Sequence, residues 1–288
     1  MVKIEDIALT LVPKLSNRAV VHLLEVFGGA EQIFAASREQ LVLQGLLRED
    51  VAEAIVARSE FATARKILER CCGGLVEALC STDNDFSQRL AFTDDYPHII
   101  YKVGNASLMN NPLLCAFTGD YEGSSSYGEQ MTLQLVEQMA QAAPETVIVA
   151  DLENRLAMYA VHCALDCSLR VIAVTRHPLW NFAELERAPL MAEIVASGGL
   201  VVSQSAFEPV DSDESYKRIV AGLSDGVVAV EGRKIPLAQC ADSYHRALFA
   251  VPGRVTDSMS QGANHLIATS MARMATSGRY IVEQLELE

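Results

Sequence analysis

The feature that most constrains the fold begins at Leu113, where short apolar, β-branched segments alternate with longer amphipathic ones. The short segments are apolar on both faces, which indicates strands buried on both sides, and the longer ones have helical periodicity. This alternation predicts an α/β fold: a Rossmann-like doubly wound, mostly parallel sheet. The predicted strands are Leu113–Thr118, Thr146–Asp151, Arg170–Thr175, Leu200–Ser203, Gly226–Glu231 and Ala247–Val251. The predicted helices are Ser126–Ala142, Arg155–Leu165, Ala183–Ala196, Tyr216–Leu223, Leu237–Arg246 and Gly262–Met274.

The region before this alternation has a different texture, with short amphipathic helical segments that stop at proline or glycine. Asn17 is expected to cap a helix that ends at Gly28. A polar connector from Ser81 to Pro112 follows these helices. At about 150 residues per domain, the length favours two domains. We therefore predict an all-helical domain over residues 1–90 and the α/β domain over residues 95–288.

The composition restricts the partners and the compartment. The net charge is −14, from 23 basic and 37 acidic residues, so DNA binding would have to rest on a local basic patch rather than a basic domain. The apolar runs are too short to span a bilayer, and the N-terminus has acids where a signal peptide needs apolar residues. The 7 cysteines show no metal-ligand spacing. These features predict a cytoplasmic protein with reduced thiols, no membrane association and no bound metal.

Ligands of doubly wound folds bind beyond the carboxyl ends of the strands, which directs attention to the loops there. The first such loop carries Gly119, Ser124, Ser125 and Ser126 ahead of a predicted helix. Backbone N–H groups and hydroxyls at a helix start predict a phosphate cradle. Because Asp120 in the same loop would repel an anion, a serine N-cap that binds nothing is an equal alternative.

Basic residues follow the other predicted strands. The dipeptides Lys217-Arg218 and Arg233-Lys234 are expected either to converge on one anionic ligand or to be solvated helix-end residues. Arg155 follows the acids Asp151 and Glu153, a pattern that favours a charged helix start. The loop after the third strand also holds Trp180, the only tryptophan, which could stack a base. No nucleophile elbow, zinc-protease motif or Ser-His-Asp set is present, so the sequence shows no recognisable catalytic apparatus, and no cofactor is expected. The basic residues are Arg155, Arg176, Lys217, Arg218, Arg233 and Lys234.

Several segments of the chain come in an order and spacing that resemble one known family. They are Asp95–Pro97, Ile99–Gly104, Gly198–Ser203, Ile219–Ser224, Val227–Glu231, Phe249–Gly253 and Ser260–Ile267. The last two read F-A-V-P-G and S-Q-G-A-N-H-L-I and are the most specific. This series resembles the DNA processing protein A family (DprA, also called Smf), over nearly the whole chain.

The resemblance implies a fold and a function. The first 90 residues would form a SAM or helix-hairpin-helix-like domain, and residues 95–288 the Rossmann-like DprA domain. Members of the family bind single-stranded DNA, load RecA on incoming DNA in natural transformation, and form homodimers through the Rossmann domain. The resemblance therefore implies a DNA-binding protein and not an enzyme. The DNA-binding residues expected here are Gly119, Tyr121, Ser124, Ser125, Ser126, Arg155, Arg176, Lys217, Arg218, Arg233, Lys234 and Asn264.

The sequence departs from the family pattern at its binding positions. The family's G-[ST]-R reads Gly119-Asp120-Tyr121, and its R-N-R reads Tyr216-Lys217-Arg218. New bases and tyrosines could rebuild a DNA site. The alternatives are a scaffold with a protein partner, for which residues 279–287 would be an exposed pairing edge, or a nucleotide-binding protein with little DNA affinity.

Overall fold

The computed structural model describes residues 2–121, 123–180, 186–206 and 215–287. The chain forms two compact units, Met1–Lys102 and Val103–Glu288. Within the described ranges, no helix combines the length and apolar character needed to cross a membrane.

The first unit is helical up to Gly73 and then adds a strand. Its helices are α1 (Ile4–Leu11), α2 (Asn17–Phe27), α3 (Ala30–Ala35), α4 (Arg38–Leu43), α5 (Glu49–Ala57), α6 (Phe61–Gly73) and α7 (Gln88–Ala91). Strand β1 (Glu77–Cys80) pairs antiparallel with the start of β2 (Ile99–Gly104). Residues 1–90 are therefore not all helical. The β1 segment forms a strand by pairing with β2, some 20 residues downstream.

The ends of α2 show how local sequence sets helix boundaries. The Ser16 side chain caps the helix by accepting the backbone N–H of Ala19 at 3.3 Å, so Asn17 is the first helical residue and not the cap. Gly28 ends the helix with a φ of +84°, a left-handed conformation that favours glycine.

The second unit contains a parallel sheet. Its strands are β3 (Leu114–Thr118), β4 (Val147–Asp151), β5 (Arg170–Val174), β6 (Leu200–Ser203), β7 (Gly226–Ala229), β8 (Ala247–Ala250) and β9 (Arg273–Met274). They lie in the order β6-β5-β4-β3-β7-β8-β9. The residue pairings between β3 and β4, β5 and β6, and β7 and β8 are all parallel. The six predicted strands match β3 to β8 to within two residues at either end, because buried apolar runs identify such strands.

Helices cover both faces of this sheet. They are α8 (Ser126–Ala142), α9 (Arg155–Asp166), α10 (Ala188–Ala196), α11 (Ser215–Leu223), α12 (Pro236–Ser243), α13 (Gln261–Ala268) and α14 (Gly278–Leu285). Helices α8, α9 and α14 pack together, and α11 packs on α12. Both α9 and α11 contact β3, β4 and β5, so they occupy opposite faces. The Rossmann-like doubly wound fold is confirmed.

Two predictions at the end of the chain were wrong. The helix predicted over residues 262–274 stops at Ala268, and Ser270 with a φ of +59° turns the chain into β9. The segment predicted as an exposed pairing edge, residues 279–287, forms most of α14, which buries Ile281 and Leu285 and packs on α8. The predicted helix start at residues 183–185 lies outside the described residues.

Candidate nucleic-acid interface

The candidate site lies where the chain reverses its direction across the sheet. From central β3 the chain moves through β4 to β6 on one side, and it returns to β7, β8 and β9 on the other. The helices that leave neighbouring β3 and β7 therefore lie on opposite faces, and ligands of open α/β sheets bind in the crevice between such strands. The loops that meet here are residues 119–125 and residues 230–235.

These two loops pack directly against each other. Gly232 has a φ of +148°, and a Cβ at this position would lie 2.9 Å from the Asp120 nitrogen. The Asp120 carboxylate, which is buried, accepts the backbone N–H of Arg233 at 3.1 Å. A Cβ on Gly119 would collide with the Leu156 side chain. The close contacts of Gly119 and the hydrogen bond of Asp120 thus hold the two loops together across the crevice. The Asp120 carboxylate is hydrogen-bonded within the protein.

The donors of the predicted phosphate cradle bind a carboxylate of the chain itself. Glu231, which is 2% exposed, accepts the backbone N–H of Ser125 at 2.5 Å and its hydroxyl at 2.5 Å. Ser125 also caps α8 by accepting the N–H of Gly128 at 3.1 Å. Ser124 donates to Glu129 at 2.7 Å, and Ser126 is exposed at the first position of α8. A carboxylate is electrostatically favoured at a helix N-terminus, as a phosphate is.

A second buried cluster surrounds Asp151 at the end of β4. Asp151 is 1% exposed and accepts hydrogen bonds from the Tyr121 hydroxyl and from the backbone N–H of Glu153. Burial raises the pKa of Asp151 to about 6, although both hydrogen bonds oppose the shift. Burial also raises the pKa of Tyr121, and the nearby Asp151 carboxylate adds to the effect. The Lys217 ammonium, 7% exposed, lies 4.5 Å from the ring centre of Tyr121 and 5.6 Å from that of Tyr216. Tyr121 and Lys217, predicted to contact DNA, are thus packed against each other inside the protein.

The exposed bases at this edge follow three different strands. Arg155 is the first residue of α9 after β4, Arg218 lies in the first turn of α11, and Arg233 and Lys234 lie between β7 and α12. In a parallel sheet these positions share one edge. Arg155 and Lys234 make no hydrogen bond or ion pair with the part of the chain that the structure describes. Arg176, after β5, is half-buried.

The acids that the structure describes near these bases are turned inward. Glu153 forms ion pairs with Arg187 at 2.9 Å and with His177 at 3.8 Å. All four carboxylates, those of Asp120, Asp151, Glu153 and Glu231, therefore bind groups of the protein itself. The Trp180 indole N–H donates to the backbone of Ala206 and is half-buried, which restrains the ring predicted to stack on a base.

Asn264, also predicted to bind DNA, clamps a backbone loop. Its side-chain oxygen accepts the N–H of Gly253 and its side-chain nitrogen donates to the carbonyl of Gly253, both at 3.0 Å. The clamp fixes the turn after β8, which lines a cavity of about 520 Å³ together with Tyr127 and Arg254. Sequence reasoning missed both of these residues, although a tyrosine and an arginine at a strand's carboxyl edge were visible signals.

Comparison with known proteins identifies the family of this chain. Residues 77–286 match the sequence model of the family described as DNA recombination-mediator protein A. The chain belongs to this family. It is 28% identical over 216 residues to Protein Smf of Escherichia coli strain K12, a match that covers 72% of this chain and 56% of that protein. It is also 27% identical over 201 residues to the DNA processing protein DprA of Streptococcus pneumoniae strain R6, covering 67% of this chain and 68% of that one.

Two solved structures of DNA processing protein A have the same fold. The X-ray structure from Streptococcus pneumoniae aligns with a TM-score of 0.79 at 21% identity and covers 98% of each chain. The structure from Helicobacter pylori aligns with a TM-score of 0.61 at 23% identity, covering 73% of this chain and 95% of that one. The latter protein is described by its single-stranded DNA binding mode.

Within the DNA recombination-mediator protein A family, the residues of this chain that match the family pattern can be compared with those that depart from it. The residues that carried the resemblance maintain the fold here: Glu231 anchors α8, and Asn264 locks the F-A-V-P-G turn. The residues that depart from the family pattern, Asp120, Tyr121 and Lys217, are buried or half-buried and make contacts within the protein. Among the described residues at this edge of the sheet, the bases Arg155, Arg218, Arg233 and Lys234 remain exposed.

Proposed function

We propose that this chain binds single-stranded DNA at the carboxyl edge of its parallel sheet and acts as a recombination mediator. The observation that carries the proposal is the set of exposed bases Arg155, Arg233 and Lys234, together with the buried and internally paired acids Asp120, Asp151 and Glu231. Membership of the DNA recombination-mediator family and the DNA binding of the Helicobacter pylori relative support it. The chain spans 56% of the length of the E. coli relative, which limits how much of that protein it represents.

The finer parts of the proposal follow from the family. We propose that the protein loads RecA on incoming DNA in natural transformation and works in the cytoplasm without catalysing a reaction. We further propose that it forms a homodimer through the second unit. Assembly of RecA on an oligonucleotide, with and without the protein, tests the loading step. Sedimentation of the purified protein over a concentration series tests the dimer.

Binding through rim bases has a clear physical signature. Phosphate contacts release counterions, so affinity falls as salt concentration rises, and each lost phosphate contact reduces the salt slope by about 1. The decisive experiment is fluorescence anisotropy of a labelled oligo-dT at low and near-physiological salt. Replacing Arg233 and Lys234 by alanine is expected to weaken binding and to flatten its salt dependence.

The chain offers a matched control for this variant. Arg65 and Lys66 are also adjacent, exposed bases, but they lie on α6 in the first unit. The Arg65→Ala, Lys66→Ala variant changes the net charge by the same amount and is expected to bind oligo-dT as the wild type does. Equal losses in the two variants would attribute the effect to overall charge and contradict a localised site.

One observation favours a second candidate function. The cradle at the start of α8 is filled by Glu231, and the crevice is closed by Asp120, so both backbone anion sites are already used. A DprA-like scaffold with a protein partner or nucleotide ligand and little DNA affinity fits these contacts. Absence of oligo-dT binding even at low salt would favour the scaffold and reject the first proposal.

A further inference from the structure

We infer that the cavity at the carboxyl end of β8 is a base-binding subsite, in which a nucleobase of single-stranded DNA stacks on Tyr127. The inference rests on the proposed function and specifies where bases, as opposed to phosphates, are held. The cavity of about 520 Å³ is lined by Tyr127, Pro252, Gly253, Arg254, Asp257 and Ser260. Small-ligand pockets in proteins measure about 300–1,000 Å³, so its size suits one nucleotide unit.

Tyr127 is a preorganised stacking surface. Its hydroxyl donates to the Pro252 carbonyl at 2.7 Å, which fixes the ring at the wall of the cavity, and its side chain remains 39% exposed. The helix turn that carries it is anchored by the two hydrogen bonds from Ser125 to Glu231. An aromatic ring that is fixed before binding loses little conformational entropy when a base stacks on it.

The charges around the cavity favour a base inside it and a phosphate outside it. Arg254 is exposed and makes no contact with another described residue that would occupy its guanidinium. Asp257 also lines the cavity, and one of its carboxylate oxygens accepts the N–H of Met259 at 3.0 Å. A carboxylate in the wall repels a phosphate, so the anion is expected on the solvent side of Arg254. Val255 beside it, 89% exposed, adds apolar surface for a neighbouring base or sugar.

The cavity lies close to the loop that carries the proposed phosphate-binding bases. The backbone N–H of Gly262 donates to the carbonyl of Gly232 at 2.8 Å, and a Cβ on Gly262 would lie 3.3 Å from the Arg233 carbonyl oxygen. These contacts join the start of α13 to the loop that carries Arg233 and Lys234. Ser260, one residue before α13, lines the cavity. A strand held both by the loop that carries Lys234 and by Arg254 would therefore run beside the cavity that Tyr127 lines.

The test compares a base-bearing strand with a strand that lacks bases. Fluorescence anisotropy is measured with oligo-dT and with an oligonucleotide of equal length built from abasic sites. Tyr127→Ala is expected to weaken oligo-dT binding by about 5- to 150-fold, the range for loss of one stacked base, while abasic binding stays unchanged. Tyr127→Phe keeps the ring and is expected to bind nearly as the wild type does. Tyr159→Ala, which removes a partly exposed tyrosine from α9, is the matched control.

Arg254→Ala provides an independent arm of the test. Loss of a phosphate contact is expected to weaken oligo-dT and abasic binding by the same factor and to lower the salt slope by about 1. Arg65→Ala on α6 is its charge-matched control and is expected to have no effect.

The outcomes separate this inference from the proposed function. If the wild type binds both oligonucleotides equally, or if Tyr127→Ala binds oligo-dT normally, DNA binding stands and the base subsite is rejected. If the wild type binds neither, the proposed function falls and the subsite falls with it. A further measurement uses only the wild type, so a misfolded variant cannot affect it. An oligonucleotide that contains 2-aminopurine is expected to lose fluorescence when the wild type binds it. Unchanged fluorescence at saturation would contradict stacking.

Discussion

Glu231, two residues after the end of β7, binds Ser125 twice, accepting its backbone N–H at 2.5 Å and its hydroxyl at 2.5 Å. The two residues are 106 positions apart in sequence. The carboxylate therefore joins the loops after β3 and β7 and supplies a negative charge at the N-terminus of α8. The same contact fixes the turn that presents Tyr127, so it links the stability of the fold to the proposed base site.

We expect Glu231→Gln to lower the free energy of unfolding by about 1–3 kcal/mol, because a charge-assisted hydrogen bond in a buried site becomes a neutral one. Ser125→Ala removes the hydroxyl that caps α8 and is expected to cost about 1–2 kcal/mol. Urea denaturation followed by circular dichroism measures both. The double variant is expected to lose less than the sum of the two single losses, because they break a shared interaction. Strict additivity would show that the two groups act independently.

Gly128 provides a test of how closely Glu231 approaches α8. A Cβ at this position would collide with the carboxylate of Glu231. Gly128→Ala is therefore expected to destabilise the protein by about 1–3 kcal/mol, although alanine is normally favoured over glycine within a helix. Gly123→Ala is the matched control, since a Cβ there meets nothing within 4 Å. A Gly128→Ala variant as stable as Gly123→Ala would mean that Glu231 can move away at no cost.

The predicted helices and strands agree with the structure better than the predicted phosphate cradle does, and the difference shows which features local sequence determines. The bounds of α8 were predicted correctly because Ser125 and the apolar spacing of residues 126–142 are local signals. Strand β9 was missed because its two exposed residues become a strand only by pairing with β8. The phosphate cradle was predicted from its donors alone, and their acceptor, Glu231, comes from a distant segment. Side chains that satisfy one another across the fold cannot be paired from periodicity.

The buried Asp151 gives a pH-dependent stability with an unusual sign. Its pKa is about 6 in the folded protein against an ordinary 3.8, so the folded state holds the proton more tightly than the unfolded state. Stability contributed by this group is present below pH 3.8 and is lost as pH rises through about 6. Relative to wild type, Asp151→Asn is therefore expected to gain about 1–3 kcal/mol between about pH 4 and pH 7.5.

Urea denaturation of both proteins across this pH range measures the difference. Asp166→Asn, at the exposed end of α9, is the surface control and is expected to follow the wild type. A constant difference between wild type and Asp151→Asn would show that Asp151 does not change its protonation on folding.

The first unit contains a pair with the opposite pH dependence. His98 is buried, and its Nε2 lies 3.1 Å from a carboxylate oxygen of Asp6 on α1. Burial alone would lower the pKa of His98, but its hydrogen bond to Asp6 and its contact with Cys80 raise the pKa to about 9. The pKa of Asp6 is lowered: burial opposes the shift, and the hydrogen bond to His98 outweighs it. The stability from His98 is complete below pH 6.5 and is lost as pH rises through about 9, whereas that from Asp6 is lost only on acidification below pH 3.8.

Asp6→Asn is therefore expected to lower the melting temperature at about pH 6 more than at about pH 9.5, where His98 is mostly neutral in both proteins. Asp50→Asn is the matched control, because Asp50 pairs with Lys14 at 3.1 Å on the exposed surface of the same unit. Its effect is expected to be small and equal at the two pH values, as is usual for surface ion pairs. An Asp6→Asn effect that is the same at both pH values would mean that the imidazolium–carboxylate pair does not stabilise the unit.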